Sequence, residues 1–420
     1  MFQKTVLDNG LRVVSSTMPH TRSVSICFFI GTGSRYETEE QAGISHFIEH
    51  LLFKGTDKRA TSKKISEVIE GVGGGINGGT DRELTLYWAK VAQPHFGLAA
   101  DVLIDMLLNS KLNPADIERE CQVILEEISM SNDAPSQRVH ILIDELLWPG
   151  HPLGRDIAGS KDSVSAITRD MIVDYLKEKY SPSNTVITVA GNIEHEEIVA
   201  EISKLLKGWN NPQPRPDYLA YEEQTNPRLR IEKRDTEQAH ICLALPGLSL
   251  LHPQRFTLDL LNVVLGEGMS SRLFTEVRDR LGLAYSIHSY ADHLLDSGSL
   301  NIYAGTEPAN LHVAIEAILE QLSKLREPIP ESELTKAKEL SKGRLLLRME
   351  DTRSVAGWMG GQEILVDNIL TVDQVVDIID AITTEQLMRI AQELIAGDRI
   401  CLAVVGPVDE NESLNKILKL

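Results

Sequence analysis

Cysteine is scarce in this chain of 420 residues, and its four copies at positions 27, 121, 242 and 401 show no CxxC spacing. Scattered cysteines in apolar surroundings indicate buried free thiols in a reducing compartment. Apolar runs stay far short of the roughly 20 residues that cross a bilayer. The chain starts with a strand-like run, not a charged-then-apolar leader. We therefore expect a cytoplasmic protein with no membrane segment.

Positive charge is also limited, with 42 basic against 61 acidic residues and a formal net charge of -19. Such a chain repels polyanions on average, so we expect no nucleic-acid partner. The acidity could favour basic peptides, although general solubility explains it at least as well. Hydrophobic residues make up 42% and charged residues 25%, as in globular proteins. The length predicts two or three domains.

The clearest chemical signal is the stretch His46-Phe47-Ile48-Glu49-His50. A helix predicted over residues 43–54 places His46 and His50 one turn apart on one face, where both can bind one metal ion. Glu49 projects beside them and could hold a water. The opposite face carries apolar residues at i, i+3, i+4, i+7 and i+8, namely Ile44, Phe47, Ile48, Leu51 and Leu52. Packing of this stripe against the core would fix the direction in which the polar trio of His46, Glu49 and His50 points.

A catalytic zinc usually takes three protein ligands, so two histidines need a third. The helix predicted over residues 114–130 offers glutamates at 118, 120, 126 and 127. Glu127 lies about 60° from Ile124, at the edge of the apolar stripe, whereas Glu126 points toward solvent. Helix geometry therefore favours Glu127 as the ligand, with Glu120, seven residues earlier on the same side, as a supporting partner.

A glycine run at residues 71–80 formally contains the dinucleotide fingerprint, as Gly73-x-Gly75-x-x-Gly78. That motif must follow a strand and open a helix, but here it follows a predicted helix and leads into a predicted strand. We therefore reject a dinucleotide-dependent oxidoreductase. The glycines instead suit a close approach of backbones.

The chain divides at a proline-rich stretch with Pro212, Pro214 and Pro216. We predict an N-terminal domain over residues 1–210, a linker over 211–228 and a C-terminal domain over 229–420. A weak internal repeat of about 200 residues indicates that the two domains are similar. The second half has no HxxEH motif, so we expect only the first half to hold a metal.

With these residues in place, the chain resembles the M16 metallopeptidases, or inverzincins, which include pitrilysin, insulysin and mitochondrial processing peptidase. The family motif is HxxEH, then about 75 residues, then Glu; here residues 51–126, which number 76, separate His50 from Glu127. The stretches 153–159 and 180–184 resemble family segments as well. The length is similar to that of the processing-peptidase subfamily. The resemblance implies an α+β fold of two tandem domains, each a mainly antiparallel sheet covered by helices.

The resemblance also implies functional roles. It implies one zinc ion per chain, peptide hydrolysis with Glu49 as general base, and a homodimer or heterodimer with a related chain. Arg278 and Tyr285, seven residues apart, match a pair that holds the substrate, although a helix-capping arginine and a half-buried tyrosine are the plainer interpretation. The substrate-binding edge strand corresponds to Ile76, Asn77, Gly78, Gly79 and Thr80, where Gly78 replaces the usual alanine. The competing hypothesis is a non-catalytic partner or assembly subunit of the same fold.

Overall fold

The computed structural model describes residues 2–211, 213–222, 228–396 and 399–409, together with Leu414. The chain packs into two compact units. The first comprises residues 1–128, 156–219 and 346–371, and the second comprises residues 129–155, 220–345 and 372–420. Residues 212 and 223–227 of the predicted linker lie outside the described residues. Among the described helices, none combines the length and apolar composition that a membrane crossing requires.

The first unit is built on a six-stranded sheet with the order β1-β2-β6-β3-β5-β4. Its strands are β1 (Phe2–Val6), β2 (Arg12–Thr17), β3 (Ser23–Ile30), β4 (Gly75–Thr80), β5 (Thr85–Ala92) and β6 (Thr185–Gly191). All neighbours are antiparallel except β2 and β6, which are parallel. Residues 7–11 join β1 to β2 as an antiparallel hairpin.

The central strand β3 is buried on both faces because its side chains alternate between two apolar layers. Ile26, Phe28 and Ile30 face one layer, and Cys27 and Phe29 face the other. The first layer is covered by helices of the N-terminal half, which include the helix that carries the HxxEH motif. Helices assigned to the first half of the chain are α1 (Ile44–Leu52), α2 (Ser62–Glu70), α3 (Phe96–Asn109), α4 (Pro114–Asp133), α5 (Pro135–Leu147), α6 (Lys161–Ala166), α7 (Arg169–Lys179) and α8 (His195–Leu205).

The second unit contains a five-stranded sheet with the order β7-β11-β8-β10-β9. Its strands are β7 (Arg228–Lys233), β8 (Ala239–Pro246), β9 (Ala284–His293), β10 (Gly298–Thr306) and β11 (Cys401–Gly406). The second half of the chain also forms α9 (Arg255–Gly266), a π-helical segment (Phe274–Arg280), α10 (Leu311–Leu325), α11 (Glu331–Arg348), α12 (Thr352–Val366), α13 (Val372–Ala381) and α14 (Thr384–Leu394).

The two sheets share a topology. The order β2-β6-β3-β5-β4 in the first unit matches β7-β11-β8-β10-β9 in the second, and in each sheet the first two of these strands are parallel. The expected α+β fold of two similar domains is therefore confirmed.

Each half of the sequence contributes one segment to the unit that is built mainly from the other half. Residues 129–155, with α5, belong to the second unit, and residues 346–371, with α12, belong to the first. In the first unit α12 lies against β3 so closely that a Cβ at Gly360 would sit 2.0 Å from Cε2 of Phe29. In the second unit α5 packs against β8 and β11, where Val139 and Leu142 share a core cluster with Cys242. The predicted division at a 211–228 linker does not account for these exchanged segments.

Candidate metal centre

Helix α1 (Ile44–Leu52) presents the HxxEH stretch as its amphipathic pattern predicts. Its five apolar stripe residues are at most 1% exposed and join the main core of the first unit: Ile44, Phe47, Ile48, Leu51 and Leu52. His46, Glu49 and His50 are half-buried on the other side. Core packing therefore fixes the rotation of α1 about its axis and the direction of the polar trio.

The N-terminus of α1 is held by a carboxylate that lies six residues before the N-cap residue. Gly43 occupies the N-cap position at φ +94° and offers no side-chain cap. The carboxylate of Glu37, which is buried, instead accepts hydrogen bonds of 2.8 Å from the backbone N–H groups of Gly43 and Ser45. A negative charge at this end also complements the helix dipole.

Two glycines allow a loop to reach the same helix end. A Cβ at Gly43 would lie 2.5 Å from the carbonyl oxygen of Ala158, and a Cβ at Gly159 would lie 2.4 Å from that of Ala42. Gly159 also has φ +79°, a conformation that glycine adopts without strain. Ala158 and Gly159, which lie in the stretch 153–159 that resembles a family segment, therefore pack against the start of α1.

Helix α4 brings the third donor to the two histidines. Oε2 of Glu127 lies 3.5 Å from Nε2 of His50 and 3.8 Å from Nε2 of His46. One ligand atom from each of the three residues lies within 4.8 Å of the others, and this is the one such group found in the described part of the chain. Glu126 is exposed. The structure therefore places together the three residues that the sequence favoured as metal ligands.

The donor chemistry of this group fits zinc. Burial, together with a smaller effect of His50, lowers the pKa of His46 to about 4, so its imidazole is neutral and keeps a lone pair at neutral pH. Nδ1 of the same ring is buried and has no hydrogen-bond partner among the described residues. Two imidazoles and one carboxylate are a donor set of catalytic zinc sites that leave a further position open.

The carboxylate of Glu120 contacts His50 at Nδ1, the ring nitrogen other than the one that lies near Glu127. It is 3% exposed, and its Oε2 lies 3.2 Å from Nδ1 of His50. A carboxylate on the outer nitrogen of a ligating histidine fixes the ring and its tautomer. This is the position that the sequence predicted for Glu120.

Glu49 does not join the three donors but faces β4, the edge strand of the first sheet. Thr80 Oγ1 donates a hydrogen bond of 2.7 Å to Glu49 Oε2. A Cβ at Gly78 would lie 3.0 Å from Cγ of Glu49 and 3.2 Å from Cε2 of Phe53. The sequence placed Thr80 only in the substrate strand and missed its bond to Glu49, since a contact between residues 31 positions apart leaves no local pattern.

The predicted substrate strand Ile76–Thr80 falls within β4, which pairs with β5 on one side. Asn77 is exposed at its centre. The glycine run at residues 71–80 directly follows α2 and contains β4, so it has the helix-to-strand context for which the dinucleotide fingerprint was rejected. The position at the sheet edge is where an extended chain could add as a further strand.

Arg278 and Tyr285 belong to the second unit, and the residues of the metal group belong to the first. The guanidinium of Arg278 stacks over the rings of Phe274, at 4.5 Å, and Tyr285, at 4.9 Å. Tyr285 is 78% exposed, so its interpretation as half-buried is wrong. The pair presents a cation and a phenol side by side on the surface of its unit.

Models of one known protein family match both halves of the chain. The family model for insulinase, peptidase family M16, matches residues 12–161, and the model for the peptidase M16 inactive domain matches residues 166–341. The chain is 38% identical to the uncharacterized zinc protease YmxG of Bacillus subtilis, over 97% of this chain and 98% of that protein.

Two solved structures have the same fold as this chain. A protease from Helicobacter pylori superimposes with a TM-score of 0.92 at 23% identity, covering 96% of this chain and 99% of that one. A peptidase M16 inactive domain from Pseudomonas fluorescens gives a TM-score of 0.90 at 16% identity, covering 98% and 99%. These structures show the fold, and the family models together with the identity to YmxG show that the chain belongs to the M16 peptidase family.

Proposed function

We propose that the chain is a zinc-dependent endopeptidase that cleaves short or unfolded peptides, with one zinc ion per chain. The observation that carries this proposal is the meeting of His46 and His50 from α1 with Glu127 from α4, within 4.8 Å of one another. The zinc proteases among the relatives support it.

The roles of the side chains follow from their positions. His46, His50 and Glu127 hold the metal and leave a coordination position open. A zinc ion bound there supplies a Lewis acid that acidifies a water and polarises the scissile carbonyl. Glu49 takes the proton of the attacking water and delivers it to the leaving amine. Thr80 keeps one oxygen of Glu49 occupied, which leaves the other free for the proton.

The substrate would bind to the open edge of β4. Its backbone would pair with residues 76–80, and such pairing selects for extended chain and makes weak demands on sequence. Folded proteins present few unpaired segments, which is why short or unfolded peptides are the expected class. The net charge of -19 favours basic peptides among them.

The second half of the chain would contribute Arg278 and Tyr285 to the substrate rather than a second metal. A guanidinium can bind a peptide carbonyl and a phenol can stabilise the developing oxyanion. We further propose a dimer, with a second copy or a related chain, acting in the cytoplasm.

The test is hydrolysis of a quenched fluorescent peptide by the purified chain, with and without a zinc chelator, alongside metal analysis. Chelator-sensitive cleavage and bound zinc support the proposal. Bound zinc without cleavage of any member of a peptide library would instead support the non-catalytic partner subunit. Neither zinc nor cleavage would overturn both the peptidase and its metal site.

A further inference from the structure

Lys54 continues the four-residue spacing of the two histidines, although the HxxEH motif does not include it. His46, His50 and Lys54 follow one another at intervals of four residues, and Lys54 lies two residues beyond Leu52, the last residue of α1. We infer that Lys54 is a positioning residue for the metal centre, which acts on His50 through Glu120. This inference rests on the proposed zinc site.

The carboxylate of Glu120 bridges the two side chains. Its Oε1 lies 2.8 Å from Nζ of Lys54, and its Oε2 lies 3.2 Å from Nδ1 of His50. Each oxygen thus has its own partner, and the plane of the carboxylate is held at both ends. Rotation of Glu120 away from His50 requires breaking the ion pair with Lys54.

The ion pair between Lys54 and Glu120 is largely shielded from solvent. The side chain of Glu120 is 4% exposed, and that of Lys54 is 27% exposed. Among the described residues, the ion-pair partners found for Glu120 are His50 and Lys54. Lys54 brings a positively charged side chain to within 2.8 Å of this buried carboxylate. A buried carboxylate left without a cation is strongly unfavourable.

This arrangement prepares His50, and not His46, for binding the metal. When Nδ1 of His50 donates its proton to Glu120, the lone pair of the ring lies on Nε2, the atom that is 3.5 Å from Glu127 Oε2. Within the described part of the chain His46 has no equivalent support, because its Nδ1 is buried and no hydrogen-bond partner is found for it there. Lys54 and Glu120 therefore prepare one of the two histidines for zinc.

Zinc affinity of the full chain, measured by competition with a chromophoric chelator and without peptide, tests this role. Lys54→Met keeps an unbranched side chain and removes the charge, and we expect affinity to fall about 10-fold, as for losses of outer partners of metal ligands. Lys54→Arg should retain most of the affinity. Lys58→Met is the matched control, since Lys58 is 60% exposed and pairs with Asp101 instead.

A double-mutant cycle separates positioning from general stability. If Lys54 acts through Glu120, Lys54→Met should cost little further affinity in a Glu120→Gln background. Thermal unfolding of the zinc-free variants checks that the fold is intact. Equal zinc affinity of Lys54→Met and wild type, or full additivity in the cycle, would overturn the inference while the zinc site stands. A wild-type chain that binds no zinc would overturn the proposed function as well.

Discussion

Thr80 and Glu49 are joined by a hydrogen bond of 2.7 Å, from Oγ1 of the threonine to Oε2 of the glutamate. Thr80 ends the edge strand β4, and Glu49 lies on α1. The bond therefore connects the strand proposed to bind substrate with the residue proposed to accept the proton. Gly78, two residues earlier, lets the strand approach Glu49.

Thr80→Val removes the hydroxyl group and keeps the shape of the side chain. We expect kcat to fall by up to about 100-fold, because a misplaced base loses alignment with the water, while KM and zinc content change little. Thr80→Ser restores the hydroxyl and should recover most of kcat. Steady-state kinetics on one fluorescent peptide measures both; a kcat of the valine variant equal to wild type would contradict this role of Thr80.

The choice of Glu127 over its neighbour can be tested by metal binding alone. Glu127→Ala removes an oxygen that lies 3.5 Å from His50 Nε2, and zinc should bind much more weakly. Glu126→Ala is the matched control, because Glu126 is exposed on the same helix and should bind zinc like wild type. Metal analysis after dialysis against dilute chelator separates the two. Loss of zinc from the Glu126 variant alone would refute the assignment.

Arg278→Ala and Tyr285→Phe should lower turnover and leave zinc content unchanged. The phenylalanine variant keeps the ring over which Arg278 stacks at 4.9 Å, so it removes the hydroxyl group alone. Turnover and bound zinc are measured on the same preparations. Wild-type turnover in both variants would show that the pair does not serve the reaction.

Glu37→Gln should destabilise the fold around α1. The variant keeps the side-chain size, but it removes the negative charge and replaces one of the two oxygens that accept from Gly43 and Ser45 with an NH2 group. A loss of about 1–3 kcal/mol in the free energy of unfolding is expected for a buried partner of this kind. Urea denaturation measures it, with Glu40→Gln as an exposed control. Equal losses in the two variants would contradict a specific capping role.

Local patterns predicted much of the site. The stripe from Ile44 to Leu52 places α1, and the angle between Ile124 and Glu127 selects the third donor, because helical periodicity alone determines which side chains share a face. The weak repeat predicted two similar domains, and both sheets do share a strand order.

Contacts between distant parts of the chain could not be predicted in the same way. The packing of α12 against β3 depends on Gly360 meeting Phe29, and no periodicity in either segment records it. Glu37 caps α1 from six residues before it, outside the usual capping positions. The exchanged segments and the Thr80–Glu49 bond are likewise products of tertiary packing.

Glu49 is proposed as the general base beside a zinc ion held by His46, His50 and Glu127. Glu49→Gln tests it most directly, with zinc content and peptide cleavage measured on the same sample. The variant should bind zinc like wild type and lose at least about 100-fold in kcat, since proton transfer by a positioned base contributes that much or more. A zinc-loaded variant that cleaves at the wild-type rate would contradict the account.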